Sequence, residues 1–259
     1  MSKFAGSGGH NSIVQGANSV YGKEHVEDRK FLDAVAKYVQ AAGWEYVNCS
    51  DEVGTTQTAV WSNAANNHLR VKDSDVDLQF HLNASPGGTG CEVWLHPSYG
   101  NRELAAKISK AMADAFGLRD RGIKLTTDLG WINKTKTGLL PEICFIDNET
   151  DMQKYRDNFD RAAKAVAEAI VGKSIQNGGN SVNNGGYQYV KSGEFGTNLV
   201  EEAIQAMNER GTKGKVIINP LTGLAYIQTD VLPNPELDKI TWWMDTRPGG
   251  KWWYEYIKN

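Results

Sequence analysis

Four residues, far apart in the chain, have the side chains that a metal-assisted hydrolysis needs. His10 closes a Gly-rich stretch, and Glu24 stands at the front of a helical pattern. His81 follows the strand-like run at residues 76–80, and Glu142 lies near the start of another strand-like run. Two His and one carboxylate with an open fourth position make a hydrolytic zinc site. A second Glu beside such a site accepts the proton that water gives up. The sequence has no H-E-x-x-H motif, so by spacing alone each of the four also reads as an ordinary satisfied polar residue.

The elements that must position these residues alternate. Phe31, Leu32, Val35 and Val39 recur at helical spacing, ending at Ala42-Gly43. Residues 46–49, 76–80, 91–95 and 139–146 read as strands, and Leu104, Ile108, Met112 and Phe116 mark a second helix. Tyr155, Phe159, Ala162, Ala163, Val166 and Ile170 mark a final helix in this half. Strands alternating with helices predict an α/β fold with a twisted, largely parallel sheet flanked by helices. Sites in such folds gather at the carboxyl ends of strands.

The 259 residues carry a formal net charge of −3, so no basic field argues for a nucleic-acid or anionic-membrane partner. No apolar run approaches a membrane span, and the first ten residues lack the apolar core of a signal peptide. The expectation is a chain first kept in a cytoplasm. Cys49, Cys91 and Cys144 form no C-x-x-C pair and read as small buried apolar side chains.

Short elements then recur in a recognisable order. Gly9-His10-Asn11-Ser12 is followed by Gln15-Gly16-Ala17; Glu24 precedes Asp28 by four residues; His81-Leu82-Asn83-Ala84 is followed by Gly90-Cys91-Glu92-Val93. Arg121-Gly122-Ile123-Lys124 comes next, then Leu140-Pro141-Glu142-Ile143 with Asp147-Asn148 and Asp151 behind it. Over roughly residues 1–172 this resembles the zinc-dependent N-acetylmuramoyl-L-alanine amidases of phage endolysins and bacterial autolysins. The resemblance implies hydrolysis of the peptidoglycan amide between N-acetylmuramic acid and L-alanine. It implies Zn²⁺ held by His10, Glu24 and His81, with Glu27 competing for the carboxylate's place, and Glu142 as the proton carrier. Asn83 and Arg121 become contacts either to the substrate or to the residues around the ligands by the same likeness, against the alternatives of a turn hydrogen bond and a solvated charge. His25, His68 and His96 match no element and read as non-ligands. A phage enzyme of this kind waits in the host cytoplasm until release and then reaches the cell wall. Competing readings are a host autolysin of the same chemistry, a zinc endopeptidase of the peptide stem, and a non-catalytic wall-binding protein.

The remainder is organised differently. Residues 172–186 read GKSIQNGGNSVNNGG, too poor in apolar side chains to order themselves. The chain thus divides into residues 1–172, a flexible linker at 173–186, and a small α+β module at 187–259. In that module residues 199–207 read as a helix, and residues 215–218, 224–227, 240–244 and 251–257 as strands, the last two joined in an aromatic hairpin by the turn at residues 247–250. Adjacent strand residues face opposite ways, so one of Trp242 and Trp243, and one of Trp252 and Trp253, should be exposed or packed against another layer. These tryptophans either fill a two-sided core or form a platform for wall carbohydrate.

Overall fold

The structure is a computed structural model that describes residues 1–71, 73–175, 188–247 and 249–258. The chain divides into two compact units, residues 1–180 and 181–259. Most of the expected linker, residues 176–186, lies outside the described residues. Of its first residues, Ile175 is buried in the core of the first unit, and its N–H donates to Glu168 Oε1 at 3.0 Å.

The first unit follows the order β1 (Lys3–Gly8), a small ribbon of β2 (Asn18–Ser19) and β3 (Gly22–Lys23), α1 (Glu24–Ala41) and β4 (Glu45–Asn48). It continues through α2 (Gln57–Arg70), β5 (Val76–Asn83), β6 (Cys91–Leu95), α3 (Arg102–Phe116) and β7 (Asp120–Leu125). It closes with α4 (Gly130–Thr135), β8 (Leu139–Phe145), α5 (Glu149–Asp157) and α6 (Phe159–Val171). The six-stranded sheet runs β4-β1-β5-β8-β6-β7. Every neighbouring pair is parallel except β6 with β8. The largely parallel α/β fold is borne out, with one antiparallel seam.

Strand alternation separates two cores. Phe4, Leu78, Phe80, Leu82, Val93 and Leu139 face the main core with α1, α3 and α6. Leu140 and Trp94 face a smaller one with Ala64 and Ala65 of α2 and Trp131 and Ile132 of α4. The residues between the main-core positions, Ser7, Gln79, His81, Glu92 and Glu142, therefore lie on the α2 face. The three cysteines are free and buried, as expected. The expected final helix is two helices, broken where Asn158 leaves helical geometry (φ −122°, ψ 16°).

The second unit contains β9 (Gln188–Ser192), α7 (Val200–Glu209), β10 (Gly214–Ile218), β11 (Ala225–Thr229), α8 (Asn234–Thr246) and β12 (Tyr254–Lys258). Its sheet is antiparallel, in the order β10-β11-β9-β12. The α+β expectation holds, but the aromatic hairpin does not. Residues 240–244 lie within α8, and β12 pairs with β9 instead. Leu237, Ile240 and Met244 are buried at helical spacing, a period hidden by the β-prone run Ile240-Thr241-Trp242-Trp243. The alternation argument for Trp242 and Trp243 therefore fails: Trp243 is buried and Trp242 half-buried on a helix. Trp252 and Trp253 precede β12, where Trp252 is half-buried and Trp253 is 65% exposed. Pro248 of the expected turn lies outside the described residues. No helix among the described residues is long and apolar enough to cross a membrane.

Candidate metal centre

The site forms where β1, β5 and β8 end, because parallel strands bring their carboxyl ends to one edge. His10 lies two residues beyond β1, His81 is near the end of β5, and Glu24 is the first residue of α1. One ligand atom from each of His10, Glu24 and His81 lies within 4.8 Å of the others. His81 Nδ1 is 2.9 Å from Glu24 Oε1, and His10 Nε2 is 3.4 Å from Glu24 Oε2. These are the three residues that the sequence singled out as ligands. Glu27 is engaged elsewhere, with Lys30 at 3.1 Å and with the Tyr155 hydroxyl. Among the described residues, His25, His68 and His96 are not part of the cluster.

Local backbone explains the convergence. Glu24 and residue 17 grip each other: Glu24 N–H donates to Ala17 O at 2.9 Å, and Ala17 N–H donates to Glu24 Oε2 at 2.7 Å. This ties the loop after His10 to the start of α1. Asp28, one turn along α1, accepts from Gly9 N–H at 2.9 Å and fixes the exit of β1. A Cβ on Gly9 would strike the His81 ring, and one on Gly16, at φ +71°, would strike Glu24 and His10. Both glycines are where the backbone passes against the ligands.

Glu142 stands opposite His81 in the β5–β8 register, and Glu92 stands opposite Glu142 in the β6–β8 register. Glu142 is half-buried, but its Oε2 is sealed from solvent with no hydrogen-bond partner among the described residues, as is His10 Nδ1. The electrostatics match this crowding. Burial pushes the Glu142 carboxyl up to about 8, with the His81 charge opposing and Glu24 and Glu92 adding to the shift. Burial works against charge on His81, but Glu24, Glu142 and Asp28 outweigh it and hold the imidazolium up to about 9. Burial and the His81 charge lower His10 to about 4. Burial raises Asp28 to about 7, although Arg29 opposes it. A cluster of this kind, with two imidazoles, a carboxylate and orphaned acceptors, suits a borderline-soft divalent cation.

Asn83 and Arg121 come together on a residue that sequence patterning did not single out. Glu92 is buried and accepts from Asn83 Nδ2 at 3.0 Å, Trp94 Nε1 at 3.2 Å and Arg121 Nε at 2.7 Å. The Arg121 guanidinium also lies 5.0 Å from the Phe145 ring centroid. Arg121 is thus not a freely solvated charge, and the Asn83 amide spans β5 and β6. The signal for Glu92 was present: a carboxylate inside the apolar run CEVWL must find partners when buried. Asp151 is likewise fully buried and joins three segments. It accepts from Thr89 Oγ1 at 2.6 Å, Gly90 N–H at 2.9 Å and Phe145 N–H at 3.1 Å.

With this geometry in place, comparison with known proteins identifies the class. Residues 5–172 match the N-acetylmuramoyl-L-alanine amidase family, and residues 209–256 match the PlyG cell wall binding domain. The chain belongs to the N-acetylmuramoyl-L-alanine amidase family, enzymes that act on peptidoglycan, and carries a wall-binding domain behind its amidase domain. Among solved structures, the catalytic domain of the CD27L endolysin targeting Clostridia difficile is 25% identical, with a TM-score of 0.57 over 68% of this chain and 99% of that one. The catalytic domain of CwlV, an N-acetylmuramoyl-L-alanine amidase from Bacillus (Paenibacillus) polymyxa var. colistinus, shares the fold at 22% identity and a TM-score of 0.57, over 66% of this chain and 97% of that one. A putative N-acetylmuramoyl-L-alanine amidase from Neisseria meningitidis shares it at 23% identity and a TM-score of 0.55, over 66% and 94%. No curated protein sequence matches the chain.

Proposed function

We propose that the chain is a zinc-dependent phage endolysin whose first unit cuts the N-acetylmuramoyl-L-alanine amide and whose second unit holds the enzyme on wall carbohydrate. The observation that carries the zinc reading is the convergence of His10, Glu24 and His81, with ligand atoms within 4.8 Å of one another. Zinc bound by these three residues supplies a Lewis acid that activates water and polarises the scissile carbonyl. The remaining work falls to the chain. Glu142, facing His81 across the strand pair, takes the proton from the attacking water and returns it to the departing amine. A single carboxylate so placed can accept that proton and later donate it. Its orphaned Oε2 supports that role, because no protein donor competes for it among the described residues. Asp28 and Gly9 hold the strand exit, and Asn83 and Arg121 brace Glu92 beside Glu142.

The wall-binding reading narrows from four tryptophans to one. Trp243 is buried, and Trp252 is stacked on Phe195 at 4.0 Å and 10° with the Arg247 guanidinium 4.4 Å away. Arg247 is itself held by Glu202 at 2.8 and 2.9 Å. Trp253 instead borders a cleft of about 380 Å³ with Lys191, Glu194, Asn219, Tyr226 and Glu255. An exposed indole beside convergent polar groups suits a sugar, whose apolar face stacks and whose hydroxyls hydrogen-bond.

The endolysin reading is supported by the likeness to the CD27L catalytic domain and by the PlyG-type domain behind it. The test is expression inside a bacterium whose wall the enzyme digests. The chain should accumulate in the cytoplasm without harm and lyse the cell only when the membrane is permeabilised. Lysis with an intact membrane would favour an exported autolysin. Zinc is tested separately by metal content: the parent should hold one zinc ion per chain and His81→Ala none.

A further inference from the structure

A line of buried polar groups runs beneath the metal centre, between the sheet and α2. Gln79 is two residues before His81 on β5 and shares its face. Its Oε1 is 3.2 Å from His81 Nε2, and its Nε2 donates to Ser7 Oγ at 3.3 Å. Ser7 Oγ is 2.9 Å from His68 Nε2. His68 Nδ1 is 2.8 Å from Asp77 Oδ1, and Asp77 Oδ2 accepts from the Ser74 hydroxyl at 2.7 Å. Ser7, Gln79 and His68 are all buried. Ser7, His68 and Asp77 have the side chains of a nucleophilic triad. Ser7 is fully covered, however, so no substrate reaches its hydroxyl.

The direction of this line follows from its ends. The Asp77 carboxylate accepts, so His68 carries its proton on Nδ1 and accepts at Nε2. The Ser7 hydroxyl then donates to His68, and its oxygen accepts from the Gln79 amide N–H. That fixes the amide with its carbonyl toward His81, which makes His81 Nε2 a donor. The other nitrogen, Nδ1, faces Glu24 at 2.9 Å and is the one left to give up its proton to a metal held there. A reversed Gln79 would set its carbonyl oxygen against the Ser7 oxygen, whose proton is already given to His68.

We propose that Gln79, Ser7, His68 and Asp77 form a positioning relay that fixes the orientation of His81 and presents its Nδ1 to the metal. The proposal rests on the zinc reading above. Outer partners of a ligating His set its ring orientation and its donor nitrogen, and losing one costs about 10- to 100-fold in metal affinity. The relay acts through His81 and touches neither substrate nor reacting atoms.

The test uses the full chain and two readouts that do not depend on activity. The first is the zinc dissociation constant, measured by competition with a chelating indicator. Ser7→Ala should weaken zinc about 10-fold. Ser109→Ala serves as the control: Ser109 is equally buried and donates to Asp120 at 2.6 Å, away from the relay, so zinc binding should be unchanged. The second is the ¹⁵N NMR tautomer of His68, expected as Nδ1–H in the parent. If Ser7→Ala does not fold, Asp77→Asn at the partly exposed end carries the test, with weaker zinc and a mixed His68 tautomer expected. Zinc affinity within twofold of the parent in the folded variants, or an Nε2–H tautomer at His68 in the parent, would overturn the relay. A parent that binds no zinc would instead remove the zinc reading itself.

Discussion

The two units hold their functional candidates in opposite ways. The first conceals polar atoms from water without partners among the described residues, as at Glu142 Oε2 and His10 Nδ1. The second exposes an apolar ring, as at Trp253. Each arrangement costs stability, the first through lost hydration and the second through unburied surface. The residues beside them show the alternative. Glu92, with three donors, and Trp252, stacked and covered by Arg247, are satisfied by the protein itself. In each neighbouring pair, the member that the protein leaves unsatisfied is the one proposed above to meet a ligand.

The sharpest way to break the comparison is to remove the unsatisfied residues. Glu142→Gln should keep zinc and lose about 10²- to 10⁴-fold in peptidoglycan turnover, followed by release of new amino termini. His81→Ala should lose both metal and turnover. Next in size is the structural counterpart in the second unit. Trp243→Ala should destabilise that unit by about 3–5 kcal/mol, read from denaturant unfolding of the two transitions. Trp253→Ala should leave folding intact and weaken sedimentation with purified walls about five- to tenfold, the scale of one aromatic stacking contact. If Trp253→Ala binds walls as the parent does, the cleft is not the wall site.

The smallest expected effect concerns pH. The Glu142 carboxyl is raised in the fold from its ordinary 4.5 to about 8. A raised carboxyl contributes stability that is complete below its unfolded value and lost as pH rises through its folded one. In the metal-free protein that loss falls between about pH 4.5 and 8. Gln stays neutral throughout. Metal-free Glu142→Gln should therefore match the parent near pH 4 and melt a few °C higher above pH 9. A variant less stable than the parent at high pH would show that ionised Glu142 is not strained in the fold.

Parts of both the fold and the candidate site were legible in the sequence. His10, Glu24 and His81, which the fold brings together, were named because short elements kept their order. Glu92 and the Ser7–His68–Asp77–Gln79 line were not, because their partners are brought together only by strand pairing and by α2. Helix α2 itself went unread: its pattern AVWSNAANNHL is polar and Asn-rich, and only Val60, Ala64, Ala65 and His68 are buried. The β6–β8 seam was equally hidden, since CEVWL reads the same in either direction of pairing. In the second unit, β-prone side chains in α8 masked a helical period, and the tryptophans were assigned to the wrong element. The largely parallel sheet was legible in one dimension, whereas its one antiparallel seam and the packing of α2 and α8 were not.

The central claim is that this chain uses zinc to cut the muramoyl-L-alanine amide. Its most direct test is digestion of purified peptidoglycan with and without a chelator, followed by zinc add-back and identification of the new amino terminus. The expected result is activity that the chelator abolishes, that zinc restores, and that exposes L-alanine. Activity that survives metal removal, or a different new terminus, would contradict it.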